Sequence, residues 1–323
     1  MFLMRFDMRA PDFGAPTTDL YSAALEMAAF AESRGAAVAV VSEHHTMADG
    51  YLPSPLVLAA AMAARTTTLP IMTAALVLPL YDPIRLAEDM VVIDIISGGR
   101  VSHVLAVGYR PEEFEHLGAD FGRRGRLVDE QLSLVLRART GEPFEHDGRR
   151  IHVTPPPVSA GGPTVMWGGG SPAAARRAAR FGLGFLAQGG GSELEDVYAD
   201  ECRAHGREPG PCMVPPSDTA TSVFVSDDLD TAWAEVGPHL LHDALSYAAI
   251  NPGNTHSASF SPAATIDELR AEGRSHRIVT VDQAVAMVRQ GNLLQLQPLV
   301  GGLPPEIAWR YLRTVTDEVM PHL

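Results

Sequence analysis

The sequence predicts a (β/α)8 TIM barrel with insertions, and three observations predict it. Short apolar runs alternate with longer amphipathic ones along the chain. Eight such short runs can be counted. Several of them stop at unusual segments: Ser42-Glu43-His44-His45, Gly108-Tyr109-Arg110, Trp167-Gly168-Gly169-Gly170-Ser171 and Gln188-Gly189, with Thr73-Ala74-Ala75 inside a run. Side chains gathered at the C-terminal ends of successive parallel strands are how such a barrel builds its site.

The elements follow in order. Residues 2–8 read as the first strand. Residues 20–34 read as a helix, because Ala24, Met27, Ala28 and Ala31 recur at helical spacing and Gly35 stops it. The second strand is 36–41. A helix over 55–65 opens at Pro55, with Ser54 as its expected N-cap. The third strand is 69–78. Asp82-Pro83 opens the next helix, in which Leu86, Met90 and Ile93 share a face and Gly98-Gly99 ends it. The fourth strand is 101–107 and the fourth helix 125–139. Residues 140–162 break the rhythm as an insertion, with a hairpin turn at Asp147-Gly148. The fifth strand is 164–167, its helix 172–181, and the sixth strand 184–187. The seventh strand is 220–225, with a helix over 229–247. Residues 251–277 form a second insertion, rich in Asn, Ser, Pro and Gly, and are the expected lid. A helix over 281–290, the eighth strand over 293–299 and a last helix over 304–319 complete the series.

Composition bounds the partners. The chain has 323 residues, 46% of them hydrophobic, which suits one large barrel. Net charge is -14 with no basic stripe, so nucleic acid and anionic membrane surfaces are poor partners. Two cysteines, Cys202 and Cys212, give neither a disulfide framework nor a metal-ligand pattern. No run approaches ~18 uninterrupted apolar residues. No signal peptide is evident. A cytoplasmic protein is expected.

The candidate site residues follow from their chemistry. At a strand end, neighbouring side chains point to opposite faces, so only one of His44 and His45 faces the barrel mouth with ease. That argues against zinc, and no metal site is expected. Histidine exchanges protons near neutral pH, which makes a strand-end histidine a candidate acid/base; a capped strand end is the plainer reading. Ala74 and Ala75 either leave room for a bulky neighbour or let a planar ligand approach the backbone. Gly168-Gly169-Gly170 before Ser171-Pro172 is a phosphate cradle in its physics, because backbone N–H groups converge there at a helix start. The segment also fits G-x-G-x-x-A. The acidic residue that a dinucleotide fold needs about 20 positions later is absent, and four strands precede the motif. Arg123, Arg124 and Arg126 open a helix against its dipole, which either a bound phosphate or plain solvent exposure explains. His103, Gln295 and Gln297 read as satisfied polar groups of the interior.

With these residues laid out, the chain resembles the bacterial luciferase-like family of flavin-dependent monooxygenases over nearly its whole length. The resemblance rests on Ser42-Glu43-His44-His45, on 73–79, on 82–89, on Ser97-Gly98-Gly99-Arg100, on 108–114, on the triple-glycine segment and on the closing 317–321. It implies a barrel that binds reduced FMN at its C-terminal mouth. His44 would be the catalytic acid/base and Glu43 would sit by the flavin ring. Ala74-Ala75 would be a non-proline cis pair against that ring. Gly170 and Ser171, with Arg126, would hold the phosphate. Gly108, Gly168, Gly169 and Gln188 complete the expected cofactor-binding set.

Two departures matter. Ala106 and Val107 stand where luciferase has a reactive cysteine and a phosphate-binding arginine, so light emission is not implied, and Arg110 is a candidate substitute. The resemblance also implies O2 as co-substrate, a small organic substrate, a separate flavin reductase and a homodimer formed through the helices after strands two and three. A related branch uses a deazaflavin coenzyme for hydride transfer and often carries Asp-His where this chain has Glu43-His44. A flavin-binding protein without turnover is the other alternative, and retention of Glu43 and His44 argues against it.

Overall fold

The structure, a computed structural model, describes residues 1–189, 191–216 and 218–323. The chain runs β1 (Phe2–Phe6), α1 (Thr17–Ser33), β2 (Ala39–Val41), α2 (Pro55–Arg65), β3 (Ile71–Val77), α3 (Pro83–Ser97), β4 (Val101–Ala106), α4 (Pro111–His116) and α5 (Arg124–Ala138). It continues through β5 (Phe144–His146), β6 (Arg149–Ile151), β7 (Thr164–Gly168), α6 (Pro172–Phe181), β8 (Gly184–Leu186), α7 (Glu193–Ala204), β9 (Cys212–Met213) and β10 (Ser222–Val225). The last elements are α8 (Leu229–Ile250), α9 (Ile266–Glu272), β11 (His276–Val279), α10 (Val281–Arg289), β12 (Leu294–Leu296) and α11 (Pro305–Thr314).

These elements fall into two compact units. The first comprises Met1–Val40, Met47–Pro53 and Pro215–Leu323; the second comprises Val41–Thr46 and Ser54–Val214. In the first unit β1 pairs in parallel with β12, Phe2 opposite Leu294, and β10 pairs in parallel with β11, Ser222 opposite His276. In the second, β3, β4, β7, β8 and β9 pair in parallel in chain order. Their C-terminal ends therefore lie along one edge, and the candidate site is built there. The strands read as near-continuous apolar runs because both faces are covered. Burying a side chain such as Phe185, which has no exposed surface, contributes about 1.5–3 kcal/mol.

Local chemistry explains the element ends. Asp82 caps α3 by accepting from the backbone N–H groups of Ile84 and Arg85, and Gly98 closes that helix in the left-handed region. Asp94, on the same helix and fully buried, accepts from the Val158 and Ser159 backbones and so pins the segment before β7. The hairpin forms at Asp147-Gly148, both with positive φ, as its turn type requires.

The structure departs from the sequence reading at several places. Ser54 makes no side-chain cap bond to α2. A short helix, α4, precedes α5. The two-residue β9 and the four-residue β11 are additional strands, each too short to give an alternating pattern. Helix α7 was also unexpected: only Leu194, Tyr198 and Cys202 are buried along it, a stripe too narrow to stand out. The stretch 251–277 contains α9 and the start of β11, elements the sequence reading did not assign there, with Ser257 and Ser261 each 1% exposed. Its turn-rich composition hides the apolar residues Ala258, Ala263 and Leu269, which are buried. No described helix is long and apolar enough to cross a membrane.

Candidate active site

The site grows from the end of β2 in the second unit. After Val41 the chain leaves the strand, and Thr46, with φ 58°, turns it away. Between these points Glu43, His44 and His45 take three different partners. The Glu43 side chain has no exposure; it accepts from the Val77 backbone N–H at 3.0 Å through Oε2 and pairs with His45 Nε2 at 2.7 Å through Oε1. Burial, and then the charge and hydrogen bond of Glu43, push the Tyr81 hydroxyl well above the ordinary phenol range. Glu43 thus holds the end of β3. Its two oxygens are taken up by protein donors.

His44 points the other way. Its Nδ1 lies 2.7 Å from Glu113 Oε1 and its Nε2 lies 3.0 Å from the Tyr109 hydroxyl. The Tyr109 ring meets the imidazole edge-on, centroids 5.6 Å apart. Glu113 also accepts from the His45 backbone N–H at 3.0 Å and from Arg110 Nη1 at 3.1 Å. Burial pushes the Glu113 carboxyl up, but the bonds from His44 and from the His45 backbone and the Arg110 charge outweigh it and hold the pKa below the usual range. A carboxylate only accepts. His44 Nδ1 therefore carries the hydrogen, and in the neutral ring Nε2 is the nitrogen that accepts, from the Tyr109 O–H. Glu113 sits in the first turn of α4, where a negative charge is favoured. Phe114 anchors that helix against Phe121, centroids 5.1 Å apart.

The second histidine is set for a different task. The hydrogen bond that His45 donates to Glu43 raises the His45 pKa against the opposing effect of burial, so this ring holds its proton more firmly. His103, fully buried against the Thr73 hydroxyl at 3.1 Å, is pushed down to about 4 by burial and is neutral.

The remaining predicted residues collect along the same strand edge. The Ala74–Ala75 peptide is cis, and β3 shifts register against β4 there. Gly168 lies against it: a Cβ at Gly168 would come within 3.7 Å of the Ala75 Cβ and 2.9 Å of Val104. Gly108, with φ 81°, has no room for a side chain, since a Cβ would meet Val77 at 2.5 Å. The Gly169 N–H donates to the Leu186 carbonyl, which joins the β7 end to the β8 end that carries Gln188. Gly170, Ser171 and Gln188 are exposed. The Ser171 hydroxyl accepts from the Ala174 N–H at 3.3 Å and so caps α6, which leaves its own hydrogen to donate. Arg126 is exposed on the first turn of α5. Arg177 of α6 bonds Gly125 at 3.1 Å and Asp129 at 2.5 Å, and so ties that turn to α6.

Arg110, the candidate substitute for the missing arginine, has protein partners. It is 8% exposed and donates through Nη1 to the His45 carbonyl at 2.7 Å as well as to Glu113, so it locks the histidine loop. Arg124 lies over the Phe121 ring, which explains it without a ligand. The sequence reading assigned no role to Tyr109, Glu113, Tyr81 or Arg177. The first two stand within 108–114, next to the singled-out strand end; Tyr81 and Arg177 carry no local signal.

The second unit carries a histidine held between a carboxylate and a phenol, and an exposed glycine turn at a helix start. The family model of luciferase-like monooxygenases matches residues 4–303. The 4-hydroxyprotoasukamycin monooxygenase of Streptomyces nodosus subsp. asukaensis is 27% identical over 82% of this chain and 75% of its own length. The alkanal monooxygenase alpha chain of Photorhabdus laumondii is 29% identical over 51% of this chain, which spans 48% of that protein. A third curated relative, 32% identical, is spanned over 38% of its length. Among solved structures, the monooxygenase RslO1 of Streptomyces bottropensis superposes with a TM-score of 0.79 at 22% identity, covering 100% of this chain and 99% of that one. The oxygenating constituent of 3,6-diketocamphane monooxygenase from Pseudomonas putida, in complex with FMN, gives 0.73 at 17% identity over 99% and 98%. An F420-dependent secondary alcohol dehydrogenase shares the fold with 0.66 at 13% identity over 95% and 97%. The chain has the (β/α)8 fold, and it belongs to the luciferase-like monooxygenase family.

Proposed function

We propose that this chain is the oxygenase of a flavin-dependent monooxygenase system, which takes reduced FMN from a separate reductase and uses O2 to oxygenate a small organic substrate. The observation that carries the reading is the Glu113–His44–Tyr109 chain. Reduced FMN, when bound, supplies the electrons that activate O2. The residues of this chain bind, orient and move protons. The glycine turn fits a phosphate: Gly170 is exposed, and a Cβ there would meet only the Gly189 carbonyl, at 3.9 Å. Ser171 can donate its hydroxyl hydrogen, the start of α6 favours an anion, and Arg126 is the nearby cation candidate. Ala75 and Gly168 leave a flat, side-chain-poor wall suited to a planar ring. His44 Nε2 accepts a proton at the position now held by the Tyr109 hydrogen, and Glu113 stabilises the imidazolium that results. Glu43 and Arg110 keep this arrangement from drifting.

The dimer belongs to the same proposal. Val57 on α2 and Val92, Ile95 and Ile96 on α3 are exposed, Val57 by 71%, and these helices pack together in the second unit. An exposed apolar face of that kind marks an association surface. Ile96→Asp should sediment as a monomer where the parent sediments as a dimer; a parent that is itself monomeric removes the proposal.

Titration with FMN and with the deazaflavin coenzyme tests the cofactor. FMN is expected to bind, and chemically reduced FMN to support O2-dependent product formation with oxygen found in the product. Binding of the deazaflavin coenzyme alone would assign the chain to hydride transfer instead.

A further inference from the structure

The first unit holds a group of titratable side chains that the flavin reading does not use. Arg9, 1% exposed, is its hub. Nη1 donates to Asp49 Oδ2 at 2.5 Å, and Nε lies 3.5 Å from both Asp7 and Asp243. Gln297 donates to Asp7 at 2.7 Å, and His276 pairs with Asp243 at 2.9 Å. Most of this cluster is closed on itself. His242 is the exception: its side chain is 23% exposed, with Nε2 2.8 Å from Asp49 Oδ2.

Asp49 fixes the state of that ring. Burial pushes its carboxyl up, but the hydrogen bond from His242 and the Arg9 guanidinium outweigh it and hold the pKa at about 2. An ionised carboxylate can only accept, so His242 Nε2 carries the hydrogen, and in the neutral ring Nδ1 is the nitrogen that accepts. A histidine held in one tautomer by a clamped carboxylate is the arrangement of a general base.

Phe13 stands beside it. Its ring meets His242 at 82° with centroids 5.7 Å apart, and His239 at 54° with centroids 5.2 Å apart. Yet it is 55% exposed. Its loop is fixed: Gly14 N–H donates to Pro11, Ala15 N–H donates to Gly302, and a Cβ on Gly14 would meet the Gly302 carbonyl at 3.0 Å. His239 donates through Nδ1 to the Gly301 carbonyl at 2.7 Å, and burial lowers its pKa, so it contributes a ring and no charge. An exposed aromatic on a rigid loop, next to a base of fixed tautomer, recognises a flat ring that carries an acidic hydroxyl.

We propose that Phe13, His242 and Asp49 form a binding site for a phenol, with His242 as the group that takes its proton. The ligand O–H bond breaks, the proton forms an N–H bond at His242 Nδ1, and the phenolate stays beside an imidazolium whose charge Asp49 offsets. No electrons move and no other reactant is needed. Arg9, Asp7, Asp243 and His276 keep their buried pairings throughout. This inference stands on the first unit alone and does not depend on the flavin reading.

The test uses the full chain without flavin, and 4-nitrophenol, whose phenolate absorbs at longer wavelength than the phenol. At a pH about one unit below the probe's own pKa, adding protein should increase the phenolate band saturably, and 4-nitroanisole should bind at least ~10-fold more weakly. His242→Gln should abolish the band while its circular dichroism and melting temperature stay those of the parent. Phe13→Ala should weaken binding without changing the protonation state of what is bound. Binding of the probe as neutral phenol, or an undiminished phenolate band in His242→Gln, would overturn the proposal.

Discussion

Two polar clusters in this molecule solve the cost of burying charge in opposite ways. In the cluster of the second unit two buried carboxylates serve one histidine each: Glu113 holds His44, and Glu43 holds His45. Backbone N–H groups and Arg110 supply the other bonds, so each imidazole keeps a distinct role. In the first unit three carboxylates converge on a single guanidinium, and most of the bonding is internal. The first arrangement leaves a proton acceptor facing a phenol hydroxyl. The second ties together β1, the 47–53 segment and α8. One cluster is therefore expected to govern rate and the other chiefly stability.

Arg9→Leu breaks the comparison most severely. It leaves Asp7, Asp49 and Asp243 without their shared cation, and unfolding by urea should show a loss of about 3–5 kcal/mol. A loss below about 1 kcal/mol would mean that the histidines and Gln297 alone satisfy those carboxylates.

Asp7→Asn sharpens it through pH. Burial and the neighbouring Asp243 raise the Asp7 carboxyl to about 6, against the opposing pull of Arg9. A folded pKa above the unfolded one means that the folded state binds the proton more tightly. Asp7 therefore costs stability above pH 6, and the cost disappears as pH falls through 6 toward the unfolded value near 3.8. Relative to the parent, Asp7→Asn should gain about 1–3 kcal/mol on going from pH 5 to pH 8. A difference that is flat with pH would show that Asp7 is ionised throughout.

The smallest effect belongs to the glycine turn. Gly170 has open space for a Cβ, so Gly170→Val should fold normally. It should weaken FMN by about tenfold, ~1.4 kcal/mol, and leave riboflavin unchanged, because only FMN carries the phosphate. Equal weakening of the two ligands in a fluorescence titration would remove the phosphate from this turn.

Much of this was legible in the sequence, for physical reasons. Strand and helix periods and the caps at Asp82 and Ser171 are local signals, and the Glu43-His44-His45 run announces itself because charged groups rarely end a strand without cause. The partners of that run are less visible. Glu113 and Tyr109 lie more than 60 residues away, and only the parallel packing of β3 and β4 brings them to His44. The Arg9 cluster was missed for the same reason: Asp7, Asp49 and Asp243 are unremarkable in isolation. The helix α9 within 251–277 was hidden because turn-forming residues dominate the stretch while a few buried apolar residues decide its packing.

The central claim is that His44 moves protons and does not hold the cofactor. The most direct test measures FMN affinity and product formation on the same preparation of His44→Ala. FMN affinity should stay within about threefold of the parent, while turnover should fall by ~100-fold or more, about 2.7 kcal/mol in the barrier. Normal turnover, or a loss of FMN binding large enough to account for the lost rate, would contradict it.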